Sequence, residues 1–143
     1  MKTSQAGIDL IKSFEGLALK AAPCPAGIPT VGYGHTGPEV YNGLRITAEF
    51  AEDLLRQDLA RFERGVERLI VGVPTTQAQF DSFVSLAFNI GLGGFQRSSV
   101  LRHHRAGNRL SAAASFLLWV KAAGRTLPGL VRRRNAERRM YLS

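Results

Sequence analysis

Residues with chemical capacity cluster near the start of the chain. Glu15 lies in the run Phe14-Glu15-Gly16, and Cys24 and Thr30 follow before the segment Val31-Gly32-Tyr33-Gly34-His35. A carboxyl group set against a tight, glycine-punctuated turn about fifteen residues on suits an acid held over a cleft. Glycines at 32 and 34 omit side chains where a substrate or another backbone can approach closely. The competing reading of Glu15 is a solvated helix-end side chain in a surface salt bridge. That of Cys24 is a small buried apolar residue, and that of the glycines is simple turn packing.

The elements around these residues must position them. Residues 3–15 carry helical spacing, with Ile8, Leu10, Ile11 and Phe14 on one broad face. Thr3 is placed to cap the start, and Gly16 to supply a left-handed stop. Glu15 then falls in the last turn, at the negative end of the helix dipole and next to Phe14 and Leu17. Both surroundings favour a protonated carboxyl, the form in which a general acid works.

Three prolines and a glycine between Pro23 and Pro29 exclude a helix there and predict a turn feeding an edge strand through Thr30, Val31 and Tyr33. Asn42-Gly43 signals a second turn, with Leu44-Arg45-Ile46 as a last short strand. Beyond it the pattern is almost wholly helical. Thr47 caps a long helix over 48–71, stapled by Ile46 against Ala51 and striped by Phe50, Leu54, Leu55, Leu59, Phe62, Val66, Leu69, Ile70 and Val73. Thr76 to Gln79 reads as a capping box before a helix buried through Phe80, Phe83, Val84, Ala87 and Phe88, ended by Gly91, Gly93 and Gly94. Helices near 98–106, 110–122 and 128–141 complete the chain.

The motif Glu15-Gly16, Thr30-Val31-Gly32-Tyr33-Gly34-His35, Thr36-Gly37 resembles the phage lysozymes of glycoside hydrolase family 24, the T4-type and lambdoid endolysins. That family's signature is Glu, eight residues, Asp or Cys, five residues, then Thr, and Glu15, Cys24 and Thr30 match it. The similarity continues through Leu54-Leu55-Arg56-Gln57-Asp58, Phe88-Asn89-Ile90-Gly91 and Leu127-Pro128-Gly129-Leu130-Val131-Arg132-Arg133-Arg134.

The resemblance implies an α+β, predominantly helical fold. A small β-containing lobe near 16–47 is joined by the helix 48–71 to a helical lobe at 72–143, and helix 3–15 leads into the cleft. It also implies cofactor-free hydrolysis of the β-1,4 bond between N-acetylmuramic acid and N-acetylglucosamine in peptidoglycan, for host-cell lysis. Glu15 would be the general acid of an inverting enzyme, with Thr30 and Cys24 holding the attacking water, Gly32 and Gly34 shaping the substrate cleft, and His35 paired structurally with Asp58. Cys24 departs from relatives with Asp, since a neutral thiol is a poorer base than a carboxylate. The alternatives are a catalytically weak wall-binding or lysis-accessory protein, and a lytic transglycosylase, which also uses a lone Glu.

No zinc or phosphate-loop spacing appears, and the adjacent His103 and His104 read as solvated. The chain of 143 residues suits one compact monomeric unit with two lobes. Its single cysteine allows no intramolecular disulfide. The first seventeen residues, with Lys2, Asp9, Lys12 and Glu15, lack a signal-peptide core. The expectation is accumulation in the host cytoplasm and holin-dependent access to the wall.

Charge is distributed unevenly. Residues 1–101 carry nine basic and ten acidic side chains, whereas residues 102–143 carry ten basic and one acidic, so the C-terminal part accounts for the net charge of +8. Arg132, Arg133, Arg134, Arg138 and Arg139 are expected around the last helix, forming either a merely solubilising face or a surface for anionic envelope components. No nucleic-acid recognition motif accompanies this basicity.

Overall fold

The computed structural model describes Met1–Ser143. The chain runs α1 (Gln5–Phe14), β1 (Ala18–Pro23), β2 (Pro29–Gly32), α2 (Ala48–Leu69), α3 (Gln77–Ile90), α4 (Leu92–Arg97), α5 (Ser99–Arg105), α6 (Arg109–Ser115), a 3₁₀ turn at Phe116–Leu118, β3 (Lys121–Ala122), β4 (Arg125–Thr126) and α7 (Pro128–Leu142). Two compact units emerge: Ile11–Ala60, and Met1–Leu10 together with Arg61–Ser143. The fold is therefore α+β and mainly helical, with a small β-containing lobe leading through a long helix into a helical lobe. No helix is long and apolar enough to cross a membrane.

In the unit Ile11–Ala60, β1 and β2 form an antiparallel hairpin pairing Ala18 with Gly32, Ala22 with Thr30 and Pro23 with Pro29. The register slips between Ala18 and Ala22. The backbone that leaves β2 there bonds instead to the segment 43–46. Ala21 N donates to Leu44 O at 2.7 Å, Gly43 N to Ala21 O at 2.8 Å and Ile46 N to Leu19 O at 2.9 Å. The expected last strand thus exists only as an isolated bridge between Lys20 and Arg45. The turn before it forms at Asn42-Gly43, where Leu44 N donates to Tyr41 O and Gly43 takes φ 94°. Ala21, Val31, Val40 and Leu54 make this unit's small core, with Leu44 and Ile46 packed against it.

Three sequence expectations change at the start of the chain. The helix begins at Gln5, and Ser4 caps it, accepting from Gly7 N through Oγ at 3.4 Å. Thr3 is instead buried, and both its N–H and its hydroxyl donate to Glu63 at 2.7 Å. Gly16 is absent from the residues with positive φ, so helix α1 stops without a left-handed glycine. Helix α2 starts as expected, with Phe50 N donating to Thr47 Oγ1 at 3.1 Å, although Phe50 itself is half exposed and outside the apolar stripe.

In the helical unit the capping box is complete: Thr76 Oγ1 accepts from Gln79 N, and Gln79 Oε1 accepts from Thr76 N at 2.9 Å. Gly91 ends α3 at φ 92°, but Gly93 and Gly94 lie inside the further short helix α4. The helix expected over 110–122 ends at Ser115. A 3₁₀ turn and a two-residue hairpin follow, reversing through Ala123 at φ 51° and Gly124 at φ 78°.

The core of this unit surrounds Phe83, whose ring lies 5.2 Å from Phe95, 5.5 Å from Tyr141 and 4.8 Å from His104. His104 is buried, correcting the expectation of a solvated side chain. Its Nε2 lies 2.9 Å from Thr75 Oγ1 and its Nδ1 2.8 Å from the Tyr141 hydroxyl. Thr75 gives its only hydroxyl proton to Val73 O at 3.0 Å. It must therefore accept from His104 Nε2–H, leaving Nδ1 to accept from Tyr141.

The last helix also departs from the expected ring of surface charge. Arg133 and Arg134 are buried, as is Glu137 between them and Ser85. Arg134 Nε lies 2.7 Å from Glu137 Oε1, Arg133 Nε donates to Glu137 Oε2 at 3.2 Å, and Ser85 Oγ donates to the same oxygen at 2.5 Å.

Candidate active site

Glu15 is the first residue past α1, half buried, with its N–H still donating to Ile11 O at 3.0 Å. One turn earlier, Lys12 Nζ meets Glu52 Oε1 on α2 at 2.8 Å and lies 5.7 Å from the centre of the Tyr33 ring. Lys12 thereby ties the end of α1 to α2 and to the glycine-flanked segment after β2. Lys12, with Arg56, also holds the Glu52 carboxyl below its usual range; the Lys12 hydrogen bond is the larger cause.

At the neck of the β1–β2 hairpin, Cys24 is the first residue of the connecting loop and Thr30 the second residue of β2. The loop closes through Cys24 N donating to Ile28 O at 2.9 Å and Gly27 N donating to Cys24 O at 2.7 Å, with Gly27 at φ 82°. Ala22 opposite Thr30 and Pro23 opposite Pro29 set the register that brings 24 and 30 together. The Cys24 thiol is partly exposed and held below its ordinary value by the backbone of Ile28 first and Ala26 second; burial opposes them, and the Thr30 side chain adds a lesser lowering.

Thr30 Oγ1 donates to Ile28 O at 3.0 Å. With its one proton committed there, the hydroxyl oxygen faces further partners as an acceptor only. If Cys24 ionises, the same proton can turn to sulfur, because a thiolate is the stronger acceptor.

Gly32 ends β2 at φ 67°, and a Cβ there would lie 3.4 Å from that of Ala51 on α2. Gly34, at φ 87°, has open space in the direction of a side chain. Between them the backbone folds back on itself, as Val31 N donates to His35 O at 3.0 Å and His35 N to Val31 O at 2.8 Å. This reversal delivers His35 to α2, where Nδ1 lies 2.9 Å from Asp58 Oδ2. Its Nε2 lies 2.6 Å from Glu39 Oε1.

Glu39 is not among the sequence expectations: a four-residue spacing signals contact on a helix, and the chain is not helical here. Burial alone would lower the His35 value, but the hydrogen bonds from Glu39 and Asp58 outweigh it and the net direction is upward. No set of three or more His, Cys, Asp or Glu side chains is arranged to hold a metal ion.

A small hairpin-containing lobe, a long helix and a helical lobe define a lysozyme-type fold. Comparison with known proteins agrees on family and fold. The phage lysozyme family model matches residues 12–137, and the chain belongs to that family.

The endolysin of Salmonella phage P22 is 44% identical over 147 residues, covering 100% of this chain and 99% of that protein. The endolysin of Bacillus phage B103 is 48% identical over 146 residues. The chain spans 55% of that relative's length and 56% of the endolysin of Bacillus phage PZA. Among solved structures, a P22 lysozyme mutant superposes with a TM-score of 0.93 at 42% identity, covering 100% of this chain and 99% of that one. The muramidase domain of SpmX from Asticaccaulis excentricus gives 0.91 at 42%, covering 99% and 98%.

Proposed function

We propose that the chain is an endolysin-type muramidase, hydrolysing the β-1,4 bond between N-acetylmuramic acid and N-acetylglucosamine of peptidoglycan with inversion. The observation that carries this reading is the end-to-end match, at 42 to 44% identity, to proteins described as an endolysin, a lysozyme and a muramidase domain. The Glu15, Cys24 and Thr30 pattern lies within the matched span.

In this reading Glu15 protonates the leaving glycosidic oxygen as the bond breaks, and a water attacks the anomeric carbon from the opposite face. Thr30 holds that water by accepting one of its protons, since its own proton is given to Ile28 O or, once Cys24 is ionised, to sulfur. Cys24 offers a second acceptor at sulfur and takes up water's proton in its thiolate form. Lowering of the thiol by the Ile28 and Ala26 backbone increases that fraction. Gly32 and Gly34 leave the neighbouring backbone open to the sugar chain. His35 and Asp58 hold the glycine turn against α2 and take no part in proton transfer. The enzyme acts as a monomer without a cofactor and reaches the wall after a holin lesion.

The deciding experiment digests purified peptidoglycan with wild type and Glu15→Gln, both verified as folded, and resolves the muropeptides by mass spectrometry. Hydrated reducing muramic ends from wild type alone are expected. Anhydro ends would make the protein a lytic transglycosylase, and no product from either would make it a wall-binding or accessory protein. Lysis on co-expression with a holin, and none without it, tests the route to the wall.

A further inference from the structure

Between Asp81 and Glu137 the sequence contains no acidic residue, yet it carries nine arginines and lysines. Glu137, the next acid, is buried against Arg133 and Arg134 and neutralises nothing at the surface. The surface charge of this stretch therefore has no internal counter-charge along the chain. Part of it is gathered in one place: Arg97 from the end of α4 and Arg102 and Arg105 from α5 line a depression of about 520 Å³ with Gln96, Ser98 and Ala106. No carboxylate lines it.

Local structure builds this depression. Ser98 is buried and caps α5 by accepting from Leu101 N at 3.2 Å, so α4 and α5 meet at a fixed corner. Arg105, a residue of the depression's lining, is anchored by Nε donating to Leu69 O at 2.8 Å. Arg97 lies over Gly93, where a Cβ would come within 3.3 Å of Nη1. A glycine inside a six-residue helix weakens that helix, and here its missing side chain makes room for the guanidinium. Arg97 and Arg102 are exposed and form no ion pair within the protein.

We propose that this corner is a binding site for clustered phosphate groups, with an anionic lipid headgroup and a soluble phosphate as its two sources. Guanidinium forks match phosphate oxygens in paired hydrogen bonds, and three positive charges exceed what one carboxylate can neutralise. A volume of about 520 Å³ accommodates more than one phosphate. The site uses none of Glu15, Cys24 or Thr30, so it stands or falls separately from the muramidase reading. Its role would be to hold the protein at a phosphate-bearing envelope surface.

The test compares wild type, Arg97→Gln/Arg102→Gln, and Lys121→Gln/Arg125→Gln, which loses the same charge from the exposed β3–β4 hairpin. Binding is measured to phosphatidylglycerol vesicles, with phosphatidylcholine vesicles as blank, and to inorganic pyrophosphate. Loss of the two groove arginines should weaken vesicle binding by about thirty-fold, at the usual contribution of a basic side chain beside an anionic bilayer. The hairpin variant should lose about two-fold or less.

Pyrophosphate should displace the vesicles and shift the Nε–H resonances of Arg97, Arg102 and Arg105 in wild type, a readout that needs no variant. Pyrophosphate binding without vesicle binding would assign the soluble source. Equal losses in the two variants, or displacement by malonate as effective as by pyrophosphate, would overturn the proposal.

Discussion

Nδ1 of His35 lies 2.9 Å from Oδ2 of Asp58, and the opposite ring nitrogen lies 2.6 Å from Glu39. Both contacts favour the protonated ring, whose value is raised despite burial. The stabilisation is full below the unfolded histidine value of about 6.5 and is lost as pH rises through the folded value. Glu39 has the opposite sign: His35 lowers it, so its share holds above about 4.3 and fades as pH falls through its folded value. Asp58→Asn should therefore cost about 1 kcal/mol in urea unfolding at pH 5.5 and less at pH 8.5, exposure of the carboxylates keeping the cost low. Equal costs at both pH values would mean that His35 is not charged.

His104 should titrate in the reverse direction. Burial lowers its value, and the Tyr141 hydroxyl and Thr75 satisfy the neutral ring. Its share of stability is present above about 6.5 and is lost as pH falls through the folded value. Carbon-bound ring proton resonances of the two histidines, followed by NMR, should give midpoints on opposite sides of that value. Tyr141→Phe should also cost about 1–2 kcal/mol by removing the donor to Nδ1.

Glu137→Gln should be the most destabilising single change of charge in the helical unit, costing about 3–5 kcal/mol in chemical denaturation. Burial pushes the Glu137 carboxyl upward against the pull of Arg134 and Arg133. Removing its charge leaves Arg134, fully buried, without its counter-ion. A cost below about 1 kcal/mol would show that the two arginines find water or another partner.

At the hairpin neck, Thr30→Ala should lower muropeptide release about 10²-fold with an unchanged circular dichroism spectrum. Cys24→Ala should also lower it, whereas Cys24→Asp, supplying a carboxylate as the base, should keep or raise it. Full activity in Thr30→Ala would remove that hydroxyl from the mechanism.

What the sequence made legible was mostly local. The Thr76 capping box, the Thr47 cap and the Asn42-Gly43 turn depend on residues within four positions of one another, and all three stand in the structure. β1 escaped notice because Ala18-Leu19-Lys20-Ala21-Ala22 is composed of good helix formers, held extended only by pairing with β2 and the segment 43–46. Burial of His104 depends on Tyr141, thirty-seven residues away, and that of Arg133 on Ser85, forty-eight away. No window along the chain contains such pairs. Glu15 stands out by its place at a helix end before a glycine-punctuated turn, and Cys24 and Thr30 by their resemblance to the family signature; the hairpin register explains how 24 and 30 come near each other, and Glu39 meets His35 only once the Val31–His35 reversal is formed.

The hairpin loop also hands the experimenter a ready-made reporter. Cys24 is the only cysteine of the chain and is partly open to solvent, with its thiol shifted toward the reactive form. A maleimide dye or nitroxide will attach there in unit stoichiometry, without mutagenesis. Spectra of the tagged protein, or the rate at which tagging proceeds, then report directly whether a saccharide shields the loop.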